Sequence, residues 1–240
     1  MPQTPMTIAV DGPSGSGKSS VSRAVARELG LGYLDTGAMY RALAWWCLDQ
    51  GVDLSDEAAV AQAAADLPLT ISTDPDAPHV RVGDVDVTDA IREDRITGQV
   101  SAVATNLDVR AELRRRQRLI IEEQRGTTGG VVAEGRDLTT VVAPDAELRV
   151  LLTASEEARL ARRATERHGA ADAVTLAATR DLVLRRDRED STVSTFLEAT
   201  DGVVTVDTSA LTFEEVVAAL LALARGEVRP DAAAGTPHTP

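Results

Sequence analysis

Short runs of β-branched and aliphatic residues recur along the chain at residues 7–10, 32–34, 131–134, 148–153 and 203–207. Most are apolar nearly throughout rather than alternating, the pattern of parallel strands covered on both faces. Between them the apolar positions fall into helical spacing, over about 18–29, 38–49, 109–124, 156–167, 175–188 and 213–224. This strand–helix alternation predicts right-handed crossovers and an α/β, three-layer fold around a central five-stranded parallel sheet. Residues 69–92 break the rhythm. Leu69-Thr70-Ile71, His79-Val80-Arg81-Val82 and Val85-Asp86-Val87-Thr88 are separated by Pro- and Gly-containing turns, which predicts a small antiparallel insertion on one edge of the core. From Arg229 onward the chain is rich in Pro, Ala and Gly without any period, so a disordered tail is expected at about 226–240.

Composition narrows the class. At 240 residues the chain suits one folding unit with a small appended region, and residues 1–225 are read as that unit. No apolar run approaches the roughly 20 residues that span a bilayer, and the first residues, Met1-Pro2-Gln3-Thr4-Pro5, carry no basic n-region. The cytoplasm is therefore the expected compartment, without a signal or transit peptide. Cys47 stands alone and there are three histidines, which excludes an internal disulfide and a structural metal cluster. A net charge of −13 opposes binding to nucleic acid or anionic membrane. With no exposed apolar stripe in view, a monomer is expected.

One lysine is present, at position 18, against 24 arginines. An ammonium is a compact point charge and a guanidinium a broad fork, so retaining lysine there points to a tight anion site. Lys18 sits in Gly12-Pro13-Ser14-Gly15-Ser16-Gly17-Lys18-Ser19, a phosphate-binding loop between a predicted strand and a predicted helix. In this reading Gly12 to Ser20 hold ATP or GTP, backbone N–H groups and the helix N-terminus attract the phosphates, Lys18 reaches the β- and γ-phosphates, and Ser19 ligates Mg²⁺. Asp11 either steadies the magnesium water shell or caps the loop through backbone N–H groups.

Two further strand ends carry cations. The second strand runs into Asp35-Thr36-Gly37-Ala38-Met39-Tyr40-Arg41 and a later one into Glu134-Gly135-Arg136-Asp137. Ligands of open α/β sheets bind at that edge, and two arginines there suit an acceptor phosphate. The region 155–188 is dense in arginine, with Arg159, Arg162 and Arg163 on one predicted helix and Arg180, Arg185, Arg186 and Arg188 on the next. Joined near His168-Gly169, the pair is expected to close as a helical lid, with about half of these arginines on solvated faces.

These motifs in this order, with the insertion between them, resemble the bacterial cytidylate kinases, over nearly the full chain to about Arg225. The third continues as in that family through Thr140-Val141-Val142-Ala143-Pro144-Asp145-Ala146. The resemblance implies transfer of the γ-phosphoryl group of ATP to CMP or dCMP, with Mg²⁺. It implies a core of about 6–35, 99–154 and 196–225, an acceptor-binding region of about 36–98 and a lid of about 155–195. It places Thr36, Ser101, Arg110 and Asp137 around the pyrimidine, Arg41 and Arg136 on the acceptor phosphate, Arg186 and Asp190 at the sugar, and Arg162 in the lid over ATP. Lys18, Arg41, Arg136 and Arg162 are then the catalytic set.

Cytosine presents an amine donor at N4 and acceptors at N3 and O2, which a carboxylate such as Asp137 and donors such as Arg110 and the hydroxyls would complement. Uracil reverses the pattern at positions 3 and 4, so discrimination of about tenfold or more is expected. An acceptor phosphate is already anionic, and no general base is required. The chain departs from the family where Val193 follows Asp190-Ser191-Thr192, a place usually held by a phosphate-binding arginine; either Arg185 or Arg188 substitutes, or affinity for CMP is lower than is usual. The competing readings are a kinase of the same fold acting on AMP, UMP or a sugar-like alcohol, and a regulatory protein that binds ATP without turnover.

Overall fold

A computed structural model describes residues 5–168, 172, 176, 180, 184, 185 and 187–228. Its centre is a five-stranded parallel sheet built from β1 (Met6–Asp11), β2 (Gly32–Asp35), β6 (Gly130–Gly135), β7 (Leu148–Thr153) and β8 (Val204–Asp207), in the order β2-β6-β1-β7-β8. The absence of alternation in these runs now has a structural cause. Ile8 and Val10 of β1 and Val132 of β6 face one apolar layer, while Ala9, Val131 and Ala133 face the other, and all are fully buried. Successive side chains point to opposite faces, and both faces are covered.

Helices α1 (Lys18–Leu29) and α8 (Phe213–Ala224) close one layer through Val25 and Leu220; α2 (Thr36–Asp49) and α6 (Leu107–Thr127) close the other through Met39, Leu43 and Leu113. The strands expected from pattern are all present, some a residue or two longer because they run into Asp11, Asp35 and Gly135. Helix α1 begins where Gly17 adopts φ 88° and ends at Gly30 with φ 66°, left-handed conformations that glycine takes without a Cβ penalty. Asn106 caps α6 by accepting from the N–H groups of Asp108 and Val109, which starts the helix two residues before the expected position.

Helix α3 (Glu57–Asp66) was not anticipated, and neither were the short α4 (Asp94–Thr97) and α5 (Val100–Ala104). The insertion is a separate antiparallel sheet of β3 (Leu69–Ile71), β4 (Val80–Val82) and β5 (Val85–Asp86). Its buried Val80 and Val82 join the α2 layer. Thr73 accepts from the Tyr33 N–H of edge strand β2 at 2.8 Å, and Arg27 of α1 bonds Asp76 and the Pro75 carbonyl. Of the lid, α7 (Glu156–His168) is formed. The second lid helix, expected at 175–188, falls mostly outside the described residues, and the tail 229–240 lies wholly outside them.

Candidate active site

A cleft of about 1160 Å³ runs along the carboxyl edge of the sheet. The loop after β1 forms its floor. Gly15 (φ 79°) and Gly17 (φ 88°) turn the backbone around the N-terminus of α1, and a Cβ at Gly15 would stand 2.6 Å from the Arg159 carbonyl. Ser14 to Ser20 line the cleft, Lys18 among them, with its Nζ 3.3 Å from the Pro13 carbonyl. Gly12 and Pro13, expected at the nucleotide, are instead buried beneath the loop. A Cβ on Gly12 would meet the Leu152 carbonyl at 2.4 Å, so a side chain at that position would not fit, and neither residue is among those lining the cleft.

Asp11 takes neither of its expected roles. Its Oδ1 accepts from Leu138 N–H at 3.0 Å, and its Oδ2 accepts from Thr139 N–H at 2.8 Å and Thr139 Oγ1 at 2.7 Å. It thus fastens the segment after β6, a single π-type turn over Leu138–Val142, to the end of β1. Burial pushes its carboxyl up to about 6, against the lowering effect of the Thr139 and Leu138 bonds.

Three carboxylate–arginine groups line the cleft. In the first, Asp35 caps α2 through Ala38 N–H and holds Arg41 Nη2 at 2.7 Å. Burial opposes ionisation of Asp35, but Arg41 and Arg92 outweigh it and hold its pKa below the ordinary carboxylate value. In the second, Arg136 bonds Asp187 at 3.0 Å and also Asp190, with its guanidinium 4.7 Å from the Phe196 ring centroid. Burial pushes Arg136 down to about 10, well above neutrality. In the third, Asp137 binds Arg110 and Arg114 on α6, each at 2.7 Å.

Of the remaining expected residues, Thr36 lines the cleft but donates its hydroxyl hydrogen to the Glu134 carbonyl at 2.7 Å. It is therefore a hydrogen-bond acceptor toward a ligand, not the donor anticipated. Ser101 is not brought to the site: its neighbours in α5, Val100 and Ala104, line the cleft and it does not. Arg162 does line it, bonded to the Thr208 hydroxyl at 2.8 Å and to the Thr208 carbonyl. Arg186 lies outside the described residues. Arg185 and Arg188, candidates to replace the arginine missing at Val193, are exposed and absent from the described lining of the cleft. Arg159, by contrast, is buried between the Ser14 carbonyl and Asp187.

The site therefore joins a phosphate loop with its lysine to two arginines at neighbouring strand ends and a buried carboxylate–arginine cluster. A model of the cytidylate kinase family matches residues 8–226. The chain belongs to the cytidylate kinase family. Cytidylate kinases of Streptomyces griseus and Nocardia farcinica are 46% identical over 92% of this chain and 93% of theirs, and 48% identical over 89% and 91%, respectively. A bifunctional pantoate ligase/cytidylate kinase of a Synechococcus strain is 44% identical over 92% of this chain, which spans 45% of that longer protein.

In this member of the cytidylate kinase family, several cleft residues escaped the sequence reading. Glu134 accepts from Ser19 Oγ at 2.6 Å and from Tyr33 Oη at 3.3 Å. Burial, with the charge of Asp35, raises its carboxyl to about 7. Asp187 links the loop to the lid by accepting from Ser14 N–H at 3.2 Å as well as from Arg159 and Arg136. Leu211, Phe213 and Val216 add an apolar wall beside the loop. Only Glu134 carried a signal in sequence, a carboxylate at a strand end. The donor set suits Mg²⁺. Ser19 directs its hydrogen to Glu134, which leaves its lone pairs for a cation. A hydroxyl oxygen is a ligand type that such a hard cation takes. Among the described residues no helix is long and apolar enough to cross a membrane.

Proposed function

We propose that the protein transfers the γ-phosphoryl group of ATP to CMP or dCMP, yielding ADP and CDP or dCDP. The observation that carries this reading is the buried Asp137–Arg110 pair lining the same cleft as Lys18, Arg41 and Arg136. An anion-binding loop and a second pair of cations accommodate two phosphate groups, and the carboxylate–guanidinium pair complements the Watson–Crick edge of cytosine.

The donor lies along the loop with Lys18 at its β- and γ-phosphates, and Arg162 with the Leu211–Phe213–Val216 wall at its other end. Ser19, with Glu134 behind it, would hold Mg²⁺, which would supply charge neutralisation to the ATP phosphates when bound. Arg41 and Arg136 hold the acceptor phosphate and offset its repulsion from the γ-phosphoryl group. Thr36 accepts from, and Asp137 faces, the base. Arg186 and Asp190 take the sugar, residues 36–98 form the acceptor region, and residues 155–195 close over ATP and exclude water. The acceptor oxygen is already ionised, so the chain contributes in-line positioning and fixed positive charge rather than a base.

The test is ADP formation from ATP and Mg²⁺ with CMP, dCMP, UMP and AMP offered separately, beside Lys18→Ala. Turnover concentrated on the cytidine nucleotides, with UMP poorer by about tenfold or more and Lys18→Ala inactive, is the expected result. Equal rates with CMP and UMP would remove the base-pocket assignment, and ATP binding without turnover on any acceptor would remove the kinase reading.

A further inference from the structure

Arg110 and Arg114 stand one helical turn apart on α6 and converge on one atom. Oδ2 of Asp137 accepts from Arg110 Nη2 at 2.7 Å and from Arg114 Nε at 2.8 Å, and Arg114 Nη2 stands in ion-pair contact with it at 2.7 Å. All of these bonds fall on Oδ2, which leaves Oδ1 to the cleft that Asp137 lines. Arg114 itself does not line that cleft.

The arrangement is unusual for an arginine–carboxylate contact, because a single guanidinium prefers to engage both oxygens as a fork. Arg110 is held away from that geometry by two restraints. Its Nη1 donates to the Ala104 carbonyl at 3.0 Å, and Arg114 already engages the Oδ2 that Arg110 holds. The Asp137 backbone is fixed separately. Its carbonyl accepts from the N–H groups of Val141 and Val142, and the next two N–H groups are held by Asp11. Backbone bonds thus set where Asp137 sits, and the second arginine sets how its carboxylate is turned.

We infer that Arg114 is a positioning residue for base selection: by loading Oδ2 together with Arg110, it presents Oδ1 to the cleft as the acceptor for the exocyclic amine of a cytosine-type base. This inference rests on the acceptor reading proposed above. Arg114 also shares the Asp137 charge, so the remaining Nη N–H groups of Arg110 stay available for the ring acceptors N3 and O2, its Nε being buried. Against a uracil-type base both contacts are reversed, since a carbonyl meets Oδ1 and an N–H meets the guanidinium. Without Arg114, Arg110 closes onto both oxygens of Asp137, and the edge that separates the two bases is lost.

The experiment compares wild type with Arg114→Ala, Arg114→Gln and Arg114→Lys, measuring kcat and KM for CMP, UMP and ATP together with thermal melting. For Arg114→Ala the expected result is a fall in kcat/KM for CMP of about tenfold carried by KM, with little change for UMP, so that the CMP:UMP ratio drops by about the same factor. The KM for ATP stays put. Arg114→Lys restores part of the ratio because one donor returns, and Arg114→Gln, near the native length and without charge, restores less. A residue that only braced the fold would lower the melting temperature and depress CMP and UMP together; that outcome, or an unchanged ratio in a folded variant, overturns the inference while leaving the acceptor reading intact. A wild type that uses CMP and UMP equally overturns both.

Discussion

Replacing Asp11 by Asn removes one negative charge from a fully buried position and leaves a single carbonyl to serve three donors. If that carbonyl takes the place of Oδ2 it keeps both Thr139 bonds, and the new NH₂ then faces the Leu138 N–H, donor against donor, across what is now 3.0 Å. An orphaned buried N–H costs about 1–3 kcal/mol. The cost should depend on pH in a defined direction. The folded carboxyl, pushed up to about 6, holds its proton more tightly than an unfolded aspartate near pKa 4. Protonation therefore favours the fold, and this contribution is full below about pH 4 and lost as pH rises through about 6. Near pH 5 the folded state is favoured relative to pH 7.5 by on the order of 1 kcal/mol. The asparagine variant lacks that gain, and the titrations of Glu134 and Glu112, common to both proteins, cancel in the difference. Urea unfolding of both proteins near pH 5 and pH 7.5 should thus show Asp11→Asn costing on the order of 1 kcal/mol more at the lower pH. An equal cost at both pH values, or a larger one at the higher, would refute the reasoning.

Gly135→Ala places a Cβ 2.5 Å from both Thr36 Oγ1 and Leu138 Cδ2; a loss of about 1–3 kcal/mol in urea unfolding is expected, together with a raised KM for CMP as Thr36 is displaced, and wild-type values for both would contradict it. Asn106→Ala removes the cap of α6 and the bond from Asn106 Nδ2 to the Glu57 carbonyl, for an expected loss of roughly 1–3 kcal/mol by the same assay, and a cost under a few tenths would show the cap to be dispensable.

The elements legible in sequence were those whose chemistry is local. The phosphate loop was readable because strand, glycines, lysine and helix follow one another within about 25 residues, and Lys18–Leu29 began and ended as expected because Gly17 and Gly30 mark its ends. Helix α3 escaped because its segment, EAAVAQAAAD, buries only Val60, Ala63 and Ala64; alanine supports a helix without marking its inward face. The antiparallel insertion was visible, but Val85–Asp86 proved shorter than the alternation suggested, as the chain leaves the sheet for the turn at Ala90–Arg92. At the site, strand ends announced Arg41 and Arg136, with Asp35, on which Arg41 rests, in the same motif, whereas the long-range ion pairs could not be read. The pairs Arg136–Asp187 and Arg110–Asp137 join residues 51 and 27 positions apart, and Arg114 is one arginine in a run of three whose other members bond Glu112. Ser101 stands off the cleft that Val100 and Ala104 line for a related reason: on a helix of five residues, a rotation of one position decides which side chain meets the cleft.

Both arginines assigned to the acceptor phosphate already rest on carboxylates, Arg41 on Asp35 and Arg136 on Asp187 and Asp190. Substrate entry on that assignment is an exchange of anions, in which a phosphate displaces a resident aspartate instead of meeting a bare cation. Affinity is then set by the difference between the two attachments, and weak binding need not signal a poor fit. Departure is helped by the same arrangement, because each aspartate stands ready to reclaim its arginine as the product leaves. Tethered competitors of this kind act at a fixed local concentration that the cell cannot dilute, so the empty cleft returns to one defined state after every turnover.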